Sequence, residues 1–229
     1  MKPLGSTHFL PEPAKSRAGR AIPKASQGNF VGEFVFGVEK PQRVGFESML
    51  EFQTAICTVY RPGFVDLEEQ LAPIAYRKPN GDIGHHSLDY RSTFRDCLRI
   101  GMAVKPSHIA ARPKFRAEML AVAKAAVPSI VDKLVVVTER NIHPVELFNA
   151  KLFHAARRPV PDEDEAIANL RTRLSAPVTV ADLIHQGRHD GVTLFGVARA
   201  IHGGGLRLMR KERIAHSSFI AANAAQVAA

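Results

Sequence analysis

Apolar residues are sparse up to about residue 29 and thicken at Phe30, Val31, Phe34, Val35 and Phe36, which suggests a short extended piece. Beyond it the pattern turns periodic. Phe46, Met49, Leu50, Gln53, Ile56 and Cys57 recur at spacings of three and four, predicting a helix over 43–60 that Arg61-Pro62-Gly63 ends. Glu47 and Glu51 share a neighbouring face of that helix, one turn apart. Phe64 to Gln70 and Ile74 to Arg77 alternate as strands, and Asn80-Gly81 signals a hairpin turn, since both residues tolerate positive φ. Ile83 to Phe94 reads as one long returning strand. In the strand from Leu98 to Lys105, Leu98, Ile100, Met102 and Val104 lie on one face; Arg99, Gly101, Ala103 and Lys105 lie on the other. A helix over 114–127 and a buried strand over 133–138 complete an α/β pattern.

After Glu139 the texture becomes helical. His143-Pro144 opens a helix that runs to about Arg157, and Pro161 opens another whose acidic first turn suits the positive helix end. Thr179 and Asp182 form a capping-box-like start for a short helix ending near Gly187, and Gly191 to His202 forms a third. Leu206 to Met209 and the residues around Ile214 read as strands flanking a basic tip, Arg210-Lys211-Glu212-Arg213. The expected organisation is a flexible basic arm over 1–29, an α/β core with a mixed sheet flanked by helices over 30–138, and a winged-helix-like part over 139–229.

The formal net charge of +9 and a pI near 9.9 favour a polyanionic partner, most simply double-stranded DNA. Arg207, Arg210, Lys211 and Arg213 are the candidate DNA contacts in the wing. Cys57 and Cys97 have no metal-ligand or disulfide spacing, which fits a reducing cytosol. No apolar run is long enough for a bilayer and the basic N-terminus lacks an apolar signal core, so a cytoplasmic location is expected and no membrane association.

The chemistry gathers between Phe46 and Lys105. Glu47 on the expected helix, Asp89 on one strand and Lys105 on the next form the set that metal-dependent phosphodiester cleavage needs. The carboxylates hold a hard divalent cation, and the lysine offsets charge on the attacked phosphate. A backbone carbonyl near Val104 can complete the metal shell. Strand alternation sets His86 on the face opposite His85 and Asp89.

The segments Val44-Gly45-Phe46-Glu47-Ser48-Met49-Leu50-Glu51, Val65 to Gln70, His86-Ser87-Leu88-Asp89-Tyr90 and Ala103-Val104-Lys105-Pro106 resemble the TnsA-type transposon endonucleases of the restriction-endonuclease-like, PD-(D/E)xK superfamily. The resemblance covers about residues 30–138, and the helical remainder is similar to that family's winged-helix-like domain. It implies a Mg2+-dependent (or Mn2+-dependent) nickase acting at transposon ends beside a partner transposase and other transposition proteins, in a bacterial, nucleoid-associated setting. It makes Glu47 the helix carboxylate, Asp89 the strand carboxylate and Lys105 the strand lysine, with Glu69, Gln70 and His86 in support. Ala103 stands where the family has Glu, Asp or Gln, Leu88 where Pro is usual, and Cys97 where the turn often has Gly. The alternative is a nuclease-fold DNA-binding or assembly factor without the chemistry.

Overall fold

The computed structural model describes residues 11–19 and 30–223. A hairpin of β1 (Gly32–Phe36) and β2 (Gln42–Phe46) leads into helix α1 (Met49–Val59). Next come β3 (Phe64–Glu69), a second hairpin of β4 (Ile74–Arg77) and β5 (Ile83–His86), then β6 (Tyr90–Phe94) and β7 (Arg99–Val104). A short α2 (Ser107–Ala110) and a longer α3 (Pro113–Ala126) precede β8 (Lys133–Val137). The central sheet has the order β3-β6-β7-β8, antiparallel except for the parallel pair β7/β8. It is a mixed sheet flanked by helices.

The two faces of this sheet follow from strand periodicity. Leu67, Tyr90, Met102 and Val104 pack with Ala55 and Val59 of α1 and with Phe34, Val44 and Phe46 of the first hairpin. Leu88, Ala103 and Val131 pack on the other face with Met119, Val122 and Ala126 of α3 and with Ile74 and Tyr76. The alternation expected for the strand ending at Lys105 therefore holds. Gly101 is required there, because a Cβ would sit 2.7 Å from Leu88 Cδ1. In the second hairpin Gly81 takes φ +92°, as the Asn-Gly signal anticipates.

Two expected elements are corrected. The helix expected over 43–60 starts only at Met49, because Arg43 to Phe46 pair with β1 as a strand and Ser48 caps the helix that follows. The long strand expected over 83–94 is two strands in different sheets. The chain breaks at Ser87-Leu88-Asp89, where Gln70 N donates to Asp89 O (2.8 Å) and Leu71 N to Leu88 O (3.0 Å). Cys97 occupies the left-handed region at φ 63°, which is why glycine suits that turn.

Residues 11–19, within the stretch expected to be a flexible arm, lie against β2 and β3. Ala14 bridges Gln42, and Arg17 forms an ion pair with Asp66 (2.6 Å) and donates to Leu67 O (2.7 Å). Residues 1–10 and 20–29 of that stretch, and residues 224–229, lie outside the described residues; the Ala-rich end, expected to fray from Ala221, is paired as a strand through Ala222, opposite Leu206.

The remaining chain forms α4 (Pro144–Ala156), α5 (Pro161–Thr172), β9 (Val178–Thr179), α6 (Val180–Gln186), α7 (Leu194–His202), β10 (Leu206–Leu208) and β11 (Phe219–Ala222). Strands β10-β11-β9 form a small antiparallel sheet, so this part is not purely helical. Thr179 and Asp182 make the anticipated reciprocal cap of α6. Ile167, Val180, Leu183, Val192, Val197, Leu206 and Ile220 form its own core. The strand expected around Ile214 is absent. Residues 209–218 instead fold back on α4, with Asn149 bonding Glu212 O and Ile214 N (2.9 Å each). No helix among the described residues is long and apolar enough to cross a membrane.

Candidate active site

Strand direction collects the candidate residues at one end of the central sheet. There β3 ends at Glu69, β6 begins after Asp89, β7 ends at Val104, β8 ends at Val137 and α1 starts behind Ser48. In open α/β sheets this carboxyl end of parallel strands is where ligands bind.

Asp89 is the centre. Its side chain is buried, its Oδ2 accepts the Val104 N–H at 2.6 Å, and Lys105 Nζ stands 3.8 Å away. Lys105 is held in place by donating its own N–H to Val137 O (3.0 Å). Burial raises the Asp89 pKa, and Glu47 raises it further. Lys105, the Val104 N–H and His86 act in the opposite sense. Val104, expected to lend its carbonyl, meets Asp89 through its N–H.

Glu47 lies just before the helix rather than on it, and the glutamate inside the first turn is Glu51. Ser48 Oγ accepts the Glu51 N–H (3.2 Å) and donates to Glu51 Oε1 (3.0 Å), while Glu51 Oε2 accepts the N–H of Glu47 (2.8 Å). This variant of a capping box draws Glu51 inward, and it is 6 % exposed. Burial raises its pKa, and the charges of Asp89 and Lys105 are both felt there. Glu47 sits in the bend before the helix, half-buried, its charge felt at Asp89. The sequence carried the signal in Ser48-x-x-Glu51; the expected helix began too early for it to register.

The supporting residues converge too. Glu69 is buried and its Oε1 accepts Ser16 Oγ (2.5 Å) and Arg17 N (3.2 Å). Gln70 takes φ 44°, and its carbonyl accepts the Gly19 N–H (2.8 Å). Tyr90 lies fully buried beneath, its hydroxyl on Gly45 O (3.1 Å); burial first, then Glu51, Asp89, Glu69 and Glu47, push its pKa well up. His86 Nδ1 meets Glu118 Oε1 of α3 at 3.0 Å. The strand break at Ser87 voids the alternation that set His86 on the face opposite Asp89, and its charge is felt at Asp89.

The donors gathered beside Lys105 are the carboxylate oxygens of Asp89, Glu51 and Glu47, with the His86 ring nearby. Among the described residues no three His, Cys, Asp or Glu side chains form a ready-made metal cage. Carboxylate oxygens of this kind suit a hard cation that keeps much of its own water, as Mg2+ does. No protein-family model matches the chain, and no curated protein resembles it significantly. Ala103 stands opposite Asp89, one step beyond the Tyr90–Met102 pair, and is fully buried.

The wing candidates are not part of this end. Lys211 Nζ pairs with Glu146 Oε1 of α4 (2.6 Å), and the Arg213 guanidinium lies over the Phe148 ring, 5.3 Å from its centre. Arg207 Nη1 turns to Met209 Sδ (3.3 Å), and Arg210 is exposed. A cleft of about 860 Å³ between Cys57, Arg61, Phe94, Arg95 and Phe153 includes none of the carboxylates. Burial pushes the Cys57 thiol there up to about 11, which leaves it inert.

Proposed function

We propose that this protein is a metal-dependent DNA endonuclease of the restriction-endonuclease-like type, similar to the TnsA nicking subunits. One observation carries the reading: Asp89, Lys105 and a helix carboxylate meet at the end of a mixed sheet, with Lys105 Nζ 3.8 Å from Asp89 Oδ2. Asp89 and Glu51, with Glu47 beside them, would hold Mg2+ or Mn2+. When bound, the ion would polarise the scissile phosphate and make its water more acidic. Val104 N–H fixes the Asp89 carboxylate, and Ser48 and the Glu47 N–H fix Glu51, so neither must reorganise when substrate arrives. Lys105 places a positive charge where the pentavalent phosphate becomes more negative. The order helix, short strand, helix, helix and two strands over 161–222 supports a winged-helix reading of the C-terminal part. A transposase partner and a nucleoid setting come from the resemblance alone.

Ala103 favours a second reading, a DNA-binding assembly factor that keeps the fold. Its side chain is fully buried among apolar groups and offers no oxygen at the position where the family carries one. Nicking of supercoiled plasmid in Mg2+ or Mn2+ separates the two. The nuclease reading expects metal-dependent open circles that Asp89→Asn and Lys105→Ala abolish while duplex binding persists. Cleavage unaffected by both substitutions would overturn it, and no cleavage in either metal would leave the assembly factor.

A further inference from the structure

We propose that the elbow from Lys105 to Arg116, which joins β7 to α3, is the surface that grips the phosphates of duplex DNA beside the carboxylate end of the sheet. This rests on the nuclease reading above. The elbow carries Lys105, Arg112, Lys114 and Arg116 and no Asp or Glu. Arg112, Lys114 and Arg116 are exposed, as is His108 on α2. Several other cations of the fold are paired: Arg17 with Asp66, Arg91 with Glu68, Arg99 with Asp132, and Arg199 with Glu163. Among the described residues none of Arg112, Lys114 and Arg116 has a carboxylate within ion-pair distance. Lys114 and Arg116 occupy the start of α3, which has no acidic residue in its first turn and no side-chain cap. Cations there oppose the helix dipole, a small cost that the fold itself does not offset.

Topology places these cations. Because β7 and β8 are parallel, α3 must run back across the sheet, so it starts at the end where β7 finishes. Glu118, just beyond the cations on α3, bonds His86, whose charge is felt at Asp89. The result is an acidic centre with a basic rim running outward from Lys105. Arg112 and Arg116 are one turn apart, about 6 Å along the axis. Successive phosphates of one DNA strand advance about 3.4 Å along the duplex axis, so the pair matches phosphates about two steps apart. The loop 209–218 is a poorer candidate, since Lys211 and Arg213 are already engaged with α4.

The test is fluorescence anisotropy of the full chain on a short mixed-sequence duplex, in EDTA to prevent cleavage, across a NaCl series. Arg112→Gln/Lys114→Gln/Arg116→Gln should bind about tenfold more weakly at low salt, and its log–log salt slope should flatten by roughly 0.9 for each phosphate it no longer neutralises. Arg210→Gln/Lys211→Gln/Arg213→Gln should keep the wild-type slope. The single substitutions, at exposed positions, are read the same way and decide the matter if the triple variant does not fold. An unchanged slope in the α3 variants, with wild-type binding intact, overturns the elbow and leaves the nuclease reading standing. Wild-type protein with no salt-dependent duplex binding overturns both.

Discussion

Asp89 and Lys105 were legible as a pair because strand alternation and the short turn between their strands almost force them together. That Glu51, not Glu47, lies inside the helix was not legible, because the apolar spacing through Phe46 imitates a helix start while β1 claims Arg43 to Phe46 as a strand. The consequence is testable at single-residue resolution. Glu51→Gln should abolish metal-dependent nicking as fully as Asp89→Asn does, whereas Glu47→Gln should reduce it only partly; isothermal titration with Mn2+ should rank the affinities in the same order. Equal loss of cleavage in the two glutamate variants would return Glu47 to the central role. Ala103 allows a second test. It shares its face with the buried α3-side core, so Ala103→Glu sets a carboxylate there, opposite Asp89 and without a partner. In EDTA the melting temperature should fall, by the equivalent of about 3 kcal/mol. Mg2+ or Mn2+ should restore much of it and allow nicking at lower metal concentration. A melting temperature that metal does not move means the side chain at 103 does not reach the carboxylates.

Among the elements, the hairpin at Asn80-Gly81 and the capped α6 were readable because a few local residues dictate each of them. The split between β5 and β6 was not, since the break at Ser87-Leu88-Asp89 is set by β3, which comes alongside through Gln70 and Leu71. Packing of α5 on α7 is likewise invisible in either helix alone. Glu163 accepts Thr193 N (2.7 Å), Thr193 Oγ1 (2.6 Å) and the guanidinium of Arg199, which also bonds Asp164 (2.7 Å). Gly196 is needed above it, because a Cβ would collide with the Glu163 carboxylate. Glu163→Ala leaves a largely buried guanidinium with Asp164 and the Ala156 carbonyl, and should destabilise the C-terminal part by about 3 kcal/mol. Urea unfolding followed by circular dichroism measures this, and the Arg199→Ala/Glu163→Ala cycle should show strong coupling. Additive effects would mean that the pair is not the tie between the helices.

At the scale of the molecule, the texture changes after Glu139, and the first helix beyond that point, α4, packs against both parts. Ile56 and Cys57 of α1 form a cluster with Ala150 of α4, joined by Ile142 and Leu147, while Asn149, Glu146 and the Ala156 carbonyl of the same helix bond residues of the second half, so α4 is shared between the two. The separate core of the second half draws on residues from Ile167 onward. Limited proteolysis should therefore cut at 157–160, where the chain is largely exposed, and leave α4 on the N-terminal fragment; a folded fragment ending at 139–143 would contradict this. His154, near the end of α4, fastens that helix to the first half. Its Nδ1 lies 3.1 Å from Tyr60 Oη and its ring meets the edge of Phe34. Burial, with Arg157 adding to it, lowers its pKa to about 4. The folded state thus refuses a proton that the unfolded chain accepts near pH 6.5, so stability is full above that value and declines as pH falls toward about 4. Solvent reaching part of the ring limits the loss to about 1–2 kcal/mol. His202, stacked on Phe153 and lowered by burial, acts in the same direction. Between pH 7 and pH 4.5 the wild type should lose more stability than His154→Gln, and cleavage at 157–160 should accelerate in the wild type over the same range. Identical pH profiles for the two proteins would mean that His154 takes up its proton equally in the folded and unfolded chain and does not fasten α4 through its neutral form.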